Sequence, residues 1–334
     1  PYNDIIRKFI DMYAGRLRNQ VSFMLSACNF YMPIFEEALD AYGLPLELRY
    51  LPIIESALNP SAVSRAGASG LWQFMIGTGK IYGLESNSLV DERRDPIKAT
   101  WAAARYLKEM YDIYGDWNLV IAAYNCGPGT INKAIRRANG ETDYWKIYNY
   151  LPKETRGYVP AFIAANYVMT YYCDHNICPM ETNIPASTDT VQVNKNLHFE
   201  QIADLCNLPL DQIKSLNPQY KKQMIPGSSK PYTLRLPIDA ISTFIDKQDT
   251  IYAHRADELF RNRKTVAVKE ITPTTRKTTT AVAGKGKLTY YTIKSGDTLS
   301  TIAGKYGVTI KDIQRWNGMS STKIAAGKRL KIYK

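Results

Sequence analysis

Apolar positions in the first half of the chain recur at three- and four-residue spacing, the period of a helix with one buried face. The clearest stretch is Pro96 to Tyr114 (PIKATWAAARYLKEMYDIY). There Asp95 suits a cap before a first-turn proline, and Gly115 suits the stop. A second helix is predicted from Asn118 to Tyr124, ending at the breaker cluster Gly127, Pro128 and Gly129. From Pro1 to about Met180 the pattern predicts an all-helical domain. Beyond Pro185 it changes to short β-like segments alternating with short helical ones.

An internal repeat lies in that second half. Val193, Ile202, Ala203, Leu208, Leu210, Ile213 and Asn217 are matched without a gap, one hundred positions later, by Ile293, Ile302, Ala303, Val308, Ile310, Ile313 and Asn317. Each copy predicts strand, helix, helix, strand over about 45 residues, a size at which one core is marginal by itself. Small repeated modules of this kind usually bind something. Between the copies, Arg261 to Lys287 (RNRKTVAVKEITPTTRKTTTAVAGKGK) holds one acid and no aromatic residue. That composition predicts a solvated, flexible tether, not a nucleic-acid surface. The expected organisation is a helical domain over 1–185, a first module over 190–238, a linker over 239–288 that is flexible and basic from about 261, and a second module over 289–334. The fold class is mainly α, followed by small α+β modules.

Charge sharpens this picture. The 334 residues hold 43 Lys and Arg against 31 Asp and Glu, a net +12 that favours an anionic partner. No apolar run approaches the roughly 20 residues that span a membrane as a helix. Residue 1 is a proline and no charged-then-apolar leader follows, so any signal peptide or lipid anchor is expected outside these residues, leaving membrane association through such an anchor open. Tyrosines outnumber phenylalanines 24 to 9, which suits sugar rings and ordinary half-buried packing alike. Cysteines at 28, 126, 173, 178 and 206 are too few and irregular for a disulfide scaffold, though Cys173 and Cys178 are placed to pair. Cys173, His175 and Cys178 have no fourth ligand nearby, so neither a metal nor a cofactor is predicted.

Candidate chemistry concentrates in Leu51 to Gly79 (LPIIESALNPSAVSRAGASGLWQFMIGTG). Glu55 is flanked by Ile53, Ile54, Ala57 and Leu58, so desolvation should favour its protonated form, as a general acid requires. From Ser56 through Leu84 there is no other Asp or Glu. Ordinary glycosidases use two carboxyls. Asp91 or Asp95 would have to fold near to supply a second; the alternative is that they cap a helix or pair with Arg93 and Arg94.

Four blocks in order carry a resemblance: Glu55-Ser56 with Pro60, Ala62, Ser64, Ala66, Gly67, Ala68, Gly70, Leu71, Trp72 and Gln73; Asp91 to Pro96 (DERRDP); Ala122 to Gly129 (AAYNCGPG); and Leu151 to Pro160 (LPKETRGYVP). Over roughly residues 20–175 the chain resembles the soluble lytic transglycosylases and goose-type lysozymes, and its Trp72-Gln73-Phe74-Met75 run is most similar to the membrane-bound transglycosylase D subgroup. It departs from that pattern at Ile76, where proline is common, and at Cys126, where a small residue is common. The resemblance implies a lysozyme-like catalytic domain that cleaves the β-1,4 bond between N-acetylmuramic acid and N-acetylglucosamine in peptidoglycan and leaves a 1,6-anhydro ring. It implies Glu55 as acid and then base. Ser64, Gln73, Met75, Tyr124, Asn125 and Tyr158 would bind substrate or support Glu55, and Trp72 would be core. The expected partner is the peptidoglycan glycan strand, and the expected place is the periplasm of a bacterial cell envelope. A hydrolytic muramidase and a non-catalytic peptidoglycan-binding protein are the alternatives.

The second module, Tyr291 to Tyr333, resembles LysM, with Gly296 to Leu299 as its first turn and Asn317 to Ile324 as its second loop. By that resemblance Gly296, Asp297, Thr298, Leu299, Asn317 and Ile324 would bind glycan. The first module has Asn196, Leu197 and His198 where the turn should read Gly-Asp-Thr, so its sugar loop is in doubt, and a spacer or a module docked on the catalytic half is expected instead.

Overall fold

A computed structural model describes residues 2–182, 184–185, 187–260, 288–294, 297–319, 321–322 and 324–333. The predicted tether 261–287 and Gly296 lie outside the described residues. Two compact units are present, one within Pro1–Lys269 and one within Glu270–Lys334.

The first unit begins with nine helices. They are α1 (Asp4–Ala14), α2 (Arg18–Ala41), α3 (Leu51–Ser56), α4 (Ile76–Ile81), α5 (Pro96–Tyr114), α6 (Trp117–Cys126), α7 (Pro128–Arg137), α8 (Tyr144–Ile147) and α9 (Lys153–Thr170). As predicted, α5 starts on an Asp95 side chain that accepts from the amides of Ile97 and Lys98, and it ends at Gly115 in the left-handed region. α9 packs against α1, α3 and α6, and α5 against α2 and α6. Their shared core centres on Phe35, Trp72, Leu107 and Val159, all fully buried. Pro160 sits inside α9 and cannot donate to the carbonyl of Arg156. The Tyr144 hydroxyl, 3.0 Å away, donates to that carbonyl instead.

The first module follows as β1 (Thr188–Val193), β2 (Asn196–His198), α10 (Phe199–Cys206), α11 (Leu210–Leu216), β3 (Met224–Pro226) and β4 (Tyr232–Pro237). β1 pairs antiparallel with β4, and a second ladder joins β2 to β3 in the register Asn196↔Pro226, Leu197↔Ile225 and His198↔Met224. That extra ladder departs from the predicted strand, helix, helix, strand. The expectation of a linker from residue 239 is corrected for 239–260: these residues form α12 (Ile238–Asp246), α13 (Gln248–Ala253) and α14 (Ala256–Leu259). Ala240, Phe244, Ile251 and Leu259 are buried there and extend the module's core, which explains why the segment folds.

The second unit contains β5 (Leu288–Thr292), α15 (Leu299–Tyr306), α16 (Ile310–Asn317) and β6 (Arg329–Tyr333), with β5 and β6 antiparallel. Its core is Tyr291, Ile293, Leu299, Ile302, Ile313, Trp316, Leu330 and Ile332. All five cysteines are unpaired. Among the described residues no helix is long and apolar enough to cross a membrane.

Candidate active site

Glu55 stands in the last turn of α3, a helix that ends abruptly. Ala57 and Leu58 both adopt left-handed backbone, φ 51° and 58°, a conformation costing about 1–3 kcal/mol each for residues other than glycine. The Ala57 amide returns to the carbonyl of Ile53 and the Leu58 amide to that of Pro52, closing the helix end. Ser56 Oγ donates at 3.0 Å to the carbonyls of both Pro52 and Leu71, tying the helix to the loop that follows.

The Glu55 carboxylate is half-buried and accepts a short hydrogen bond from the Tyr158 hydroxyl of α9. Burial pushes its pKa up to about 7. The bond from Tyr158 opposes that rise, and the charge of Glu154, one turn earlier on α9, adds to it. Burial and the neighbouring Glu55 charge hold both Tyr158 and Tyr124 well above the usual tyrosine value, so both hydroxyls stay protonated.

Glu55 opens into a cleft of about 440 Å³ whose wall includes Ser64 and Gln73, together with Tyr13 of α1, Leu17 of the turn after it, and Gln20 and Met24 of α2. Among the described residues no second Asp or Glu lines it. Asp95 is the α5 cap, while Asp91 is buried in a bidentate pair with Arg93 at 2.8 Å. The open question about these two carboxyls is thereby settled in favour of capping and pairing.

Of the other predicted residues, Ser64 is exposed and its Oγ accepts from the amide of Ala68, shaping a tight turn. Gln73 has positive φ and donates its amide to the carbonyls of Gly70 (2.8 Å) and Ala62 (3.3 Å). Tyr124 donates to the carbonyl of Trp72 at 2.7 Å, and the fully buried Trp72 indole donates to Thr100 Oγ1 at 2.9 Å. Asn125 Oδ1 accepts from Thr155 Oγ1 at 2.9 Å, clasping α6 to α9. Met75 is half-buried at the start of α4. Tyr124, Asn125, Tyr158 and Met75 therefore stand around the cleft without lining it. Tyr13, Leu17, Gln20 and Met24 escaped sequence reasoning, because ordinary half-buried positions carry no mark of the cleft they face.

In the second unit the side chains predicted to bind glycan also have structural partners. Leu299 is core. Asp297 Oδ2 accepts from the Lys294 amide and the Tyr291 hydroxyl, both at 2.8 Å. Thr298 caps α15 in a reciprocal pair with Thr301. Asn317 spends both amide protons on the carbonyls of Ile313 and Lys331, each at 2.8 Å, and accepts from the Lys331 amide at 2.7 Å. These side chains hold the turns together. Ile324 packs partly buried against the core. The first module repeats the devices with other residues: His198 caps α10 in a reciprocal pair with Gln201, and Asn217 bonds Ile213 and Arg235 as Asn317 bonds Ile313 and Lys331.

A helical domain with a half-buried acid in a cleft, followed by two small α+β modules, is the architecture of a lytic transglycosylase carrying LysM modules. Residues 32–147 match the Transglycosylase SLT domain family, 187–253 the family described as Lytic transglycosylase MltD, LysM-like domain, and 291–332 the LysM domain family. The chain is 32% identical to membrane-bound lytic murein transglycosylase D of Escherichia coli, over 99% of its own length and 69% of that protein. It is 33% identical to the soluble lytic murein transglycosylase of the same organism over 35% of its length and 19% of that protein. The crystal structure of the 70 kDa soluble lytic transglycosylase from Escherichia coli is similar with a TM-score of 0.38 and 28% identity, over 46% of this chain and 26% of that one. The chain belongs to the lytic murein transglycosylase family.

Proposed function

We propose that the protein cleaves the β-1,4 bond between N-acetylmuramic acid and N-acetylglucosamine in peptidoglycan with Glu55 as the one catalytic carboxyl. The observation that carries this is a half-buried acid raised to about 7 in a cleft that no second carboxylate lines among the described residues. Protonated Glu55 gives its proton to the glycosidic oxygen as the bond from C1 of the muramyl residue breaks. The resulting carboxylate then takes the proton of the C6 hydroxyl while that oxygen bonds to C1. Glu55 ends protonated as it began, the product carries a 1,6-anhydro ring, and no water is consumed. Tyr158 holds the carboxyl in place through both steps. Ser64 and Gln73, in the cleft wall, are the residues placed to meet the glycan.

The LysM module of residues 291–332 supports retention on the wall polymer, and the net positive charge favours its carboxylates. In the 190–238 module the two loops that would flank a sugar are paired to each other by the β2–β3 ladder, so we assign it no glycan site. The place of action is the bacterial cell envelope, on the periplasmic side. The test is mass spectrometry of muropeptides released from purified peptidoglycan. Anhydro-muramyl ends that disappear in Glu55→Gln are expected; reducing ends would instead make the protein a muramidase.

A further inference from the structure

Between the cleft and the first module runs a continuous line of short contacts that the proposed chemistry does not use. The segment Val63 to Phe74, which carries Ser64 and Gln73, is folded back on itself by bridges Val63↔Ser69 and Ser69↔Phe74. It rests on the short helical turn Glu92–Arg94. Arg93 Nη1 donates to the carbonyls of Gly67 at 2.8 Å and Phe74 at 2.9 Å, and Arg94 Nε donates to Ser69 Oγ at 3.1 Å. The approach is so close at Gly70 that a Cβ there would lie 1.7 Å from the Arg93 carbonyl oxygen.

Both arginines are organised by Asp91, which is 1% exposed and pairs with Arg93 and, at 4.0 Å, with Arg94. On its far side Asp91 meets the module. Its amide donates to the carbonyl of Gln219 at 2.8 Å, the Lys221 amide donates to the carbonyl of Leu89 at 2.6 Å, and Val90 bridges Tyr220. The Lys221 ammonium donates to the carbonyl of Asn87 at 2.9 Å and stands 3.7 Å from Asp91 Oδ2. A second pair across the same interface, Lys230 with Glu85 at 2.7 Å, leads through Glu85 to Glu92 and to the Asn87 side-chain amide instead of to the Asp91 carboxylate.

We propose that the LysM-like module is a positioning element of the active site, and that Lys221 is its positioning residue, acting through Asp91 and Arg93 on the loop that presents Ser64 and Gln73. A buried carboxylate facing two arginines needs its geometry fixed from outside the loop it serves, and the module supplies a backbone bridge and a third cation for that purpose. The module has thereby exchanged glycan binding for support of the cleft. The inference rests on the assignment of Ser64 and Gln73 to the glycan.

The test uses the full chain with Lys221→Met, Lys221→Gln, Lys221→Arg and, as interface control, Lys230→Met. The readouts are kcat and KM for anhydro-product release from soluble peptidoglycan glycan fragments, the pH profile, and hydrogen exchange. Lys221→Met is expected to lower kcat/KM at least tenfold, chiefly through KM, and to speed exchange over residues 63–74 with the alkaline limb of the pH profile unmoved. Lys221→Arg should restore most of the loss, and Lys230→Met should stay within about twofold of the parent. Lys221→Gln keeps a donor for the Asn87 carbonyl while removing the charge, so it decides the matter should Lys221→Met fail to fold. Unchanged exchange and kinetics in folded Lys221→Gln and Lys221→Met, an equal loss in Lys230→Met, or no rescue by arginine would each overturn the proposal. Absence of anhydro ends from the parent chain would defeat the transglycosylase reading instead, and the exchange of residues 63–74 would still report on the relay.

Discussion

The hydroxyl of Tyr158 and the carboxylate of Glu55 are joined by a short hydrogen bond that links α9 to α3 across the interior of the catalytic domain. The bond favours the charged carboxylate and so works against burial, which favours the neutral acid. The Glu55 pKa of about 7 is the balance of the two.

Removing that donor shifts the balance in a stated direction. Tyr158→Phe should move the alkaline limb of the pH profile upward from near 7, because the hydrogen bond that lowers the Glu55 pKa is gone. It should also cut kcat, since the carboxyl loses its orientation. A hydrogen bond to a charged group contributes about 1.5–3 kcal/mol, which corresponds to roughly 10- to 150-fold in rate. Steady-state rates between pH 5 and 9 check both parts; a limb that moves down would contradict the account.

Glu55→Gln should abolish turnover and yet stabilise the fold above neutral pH. The folded pKa, about 7, lies above the usual 4.5, so the carboxyl's contribution to stability is fully present below about pH 4.5 and is lost as pH rises through 7. Glutamine carries no charge to bury. At pH 8 the variant should gain up to about 3 kcal/mol over the parent, and near pH 4 the difference should vanish. Thermal unfolding at the two pH values measures it.

Asn317→Ala should unfold its module, not merely weaken glycan binding. Two hydrogen bonds between α16 and β6 and one within α16 are lost, and the Lys331 amide is left without its partner, at a cost of roughly 1–3 kcal/mol. Hydrogen exchange over β5 and β6 should accelerate. Weaker retention on peptidoglycan with unchanged exchange would return Asn317 to the role of a glycan contact.

Ending the chain after residue 260 should leave cleavage of soluble fragments intact and reduce retention on whole wall material, because the LysM module is removed while the docked module and its helices stay. Sedimentation of the shortened protein with insoluble peptidoglycan tests it, and equal pelleting of both forms would count against a tethering role.

Local signals in the sequence were reliable where the physics is local. Asp95, Pro96 and Gly115 bound α5 because cap, proline and left-handed stop act within one turn of the chain. Glu55 was legible from its apolar neighbours and from the blocks around it. Residues 239–260 were misread because they follow the end of the repeat, although Ala240, Phe244 and Ile251 already carried a buried face. Asn317 was ambiguous in principle, since an amide that can grip a sugar can equally grip a strand. The Lys221 contact with Asp91 had no local sign: it joins residues 130 positions apart, and only folding brings them together.

Arg93 holds the cleft loop by the main-chain oxygens of Gly67 and Phe74, not by any side chain of that loop. The grip is therefore indifferent to which side chains stand on the outer turn at Arg65 and Ala66, both exposed. Natural drift or a randomised library at those two positions can change the exposed surface of the loop without loosening its frame.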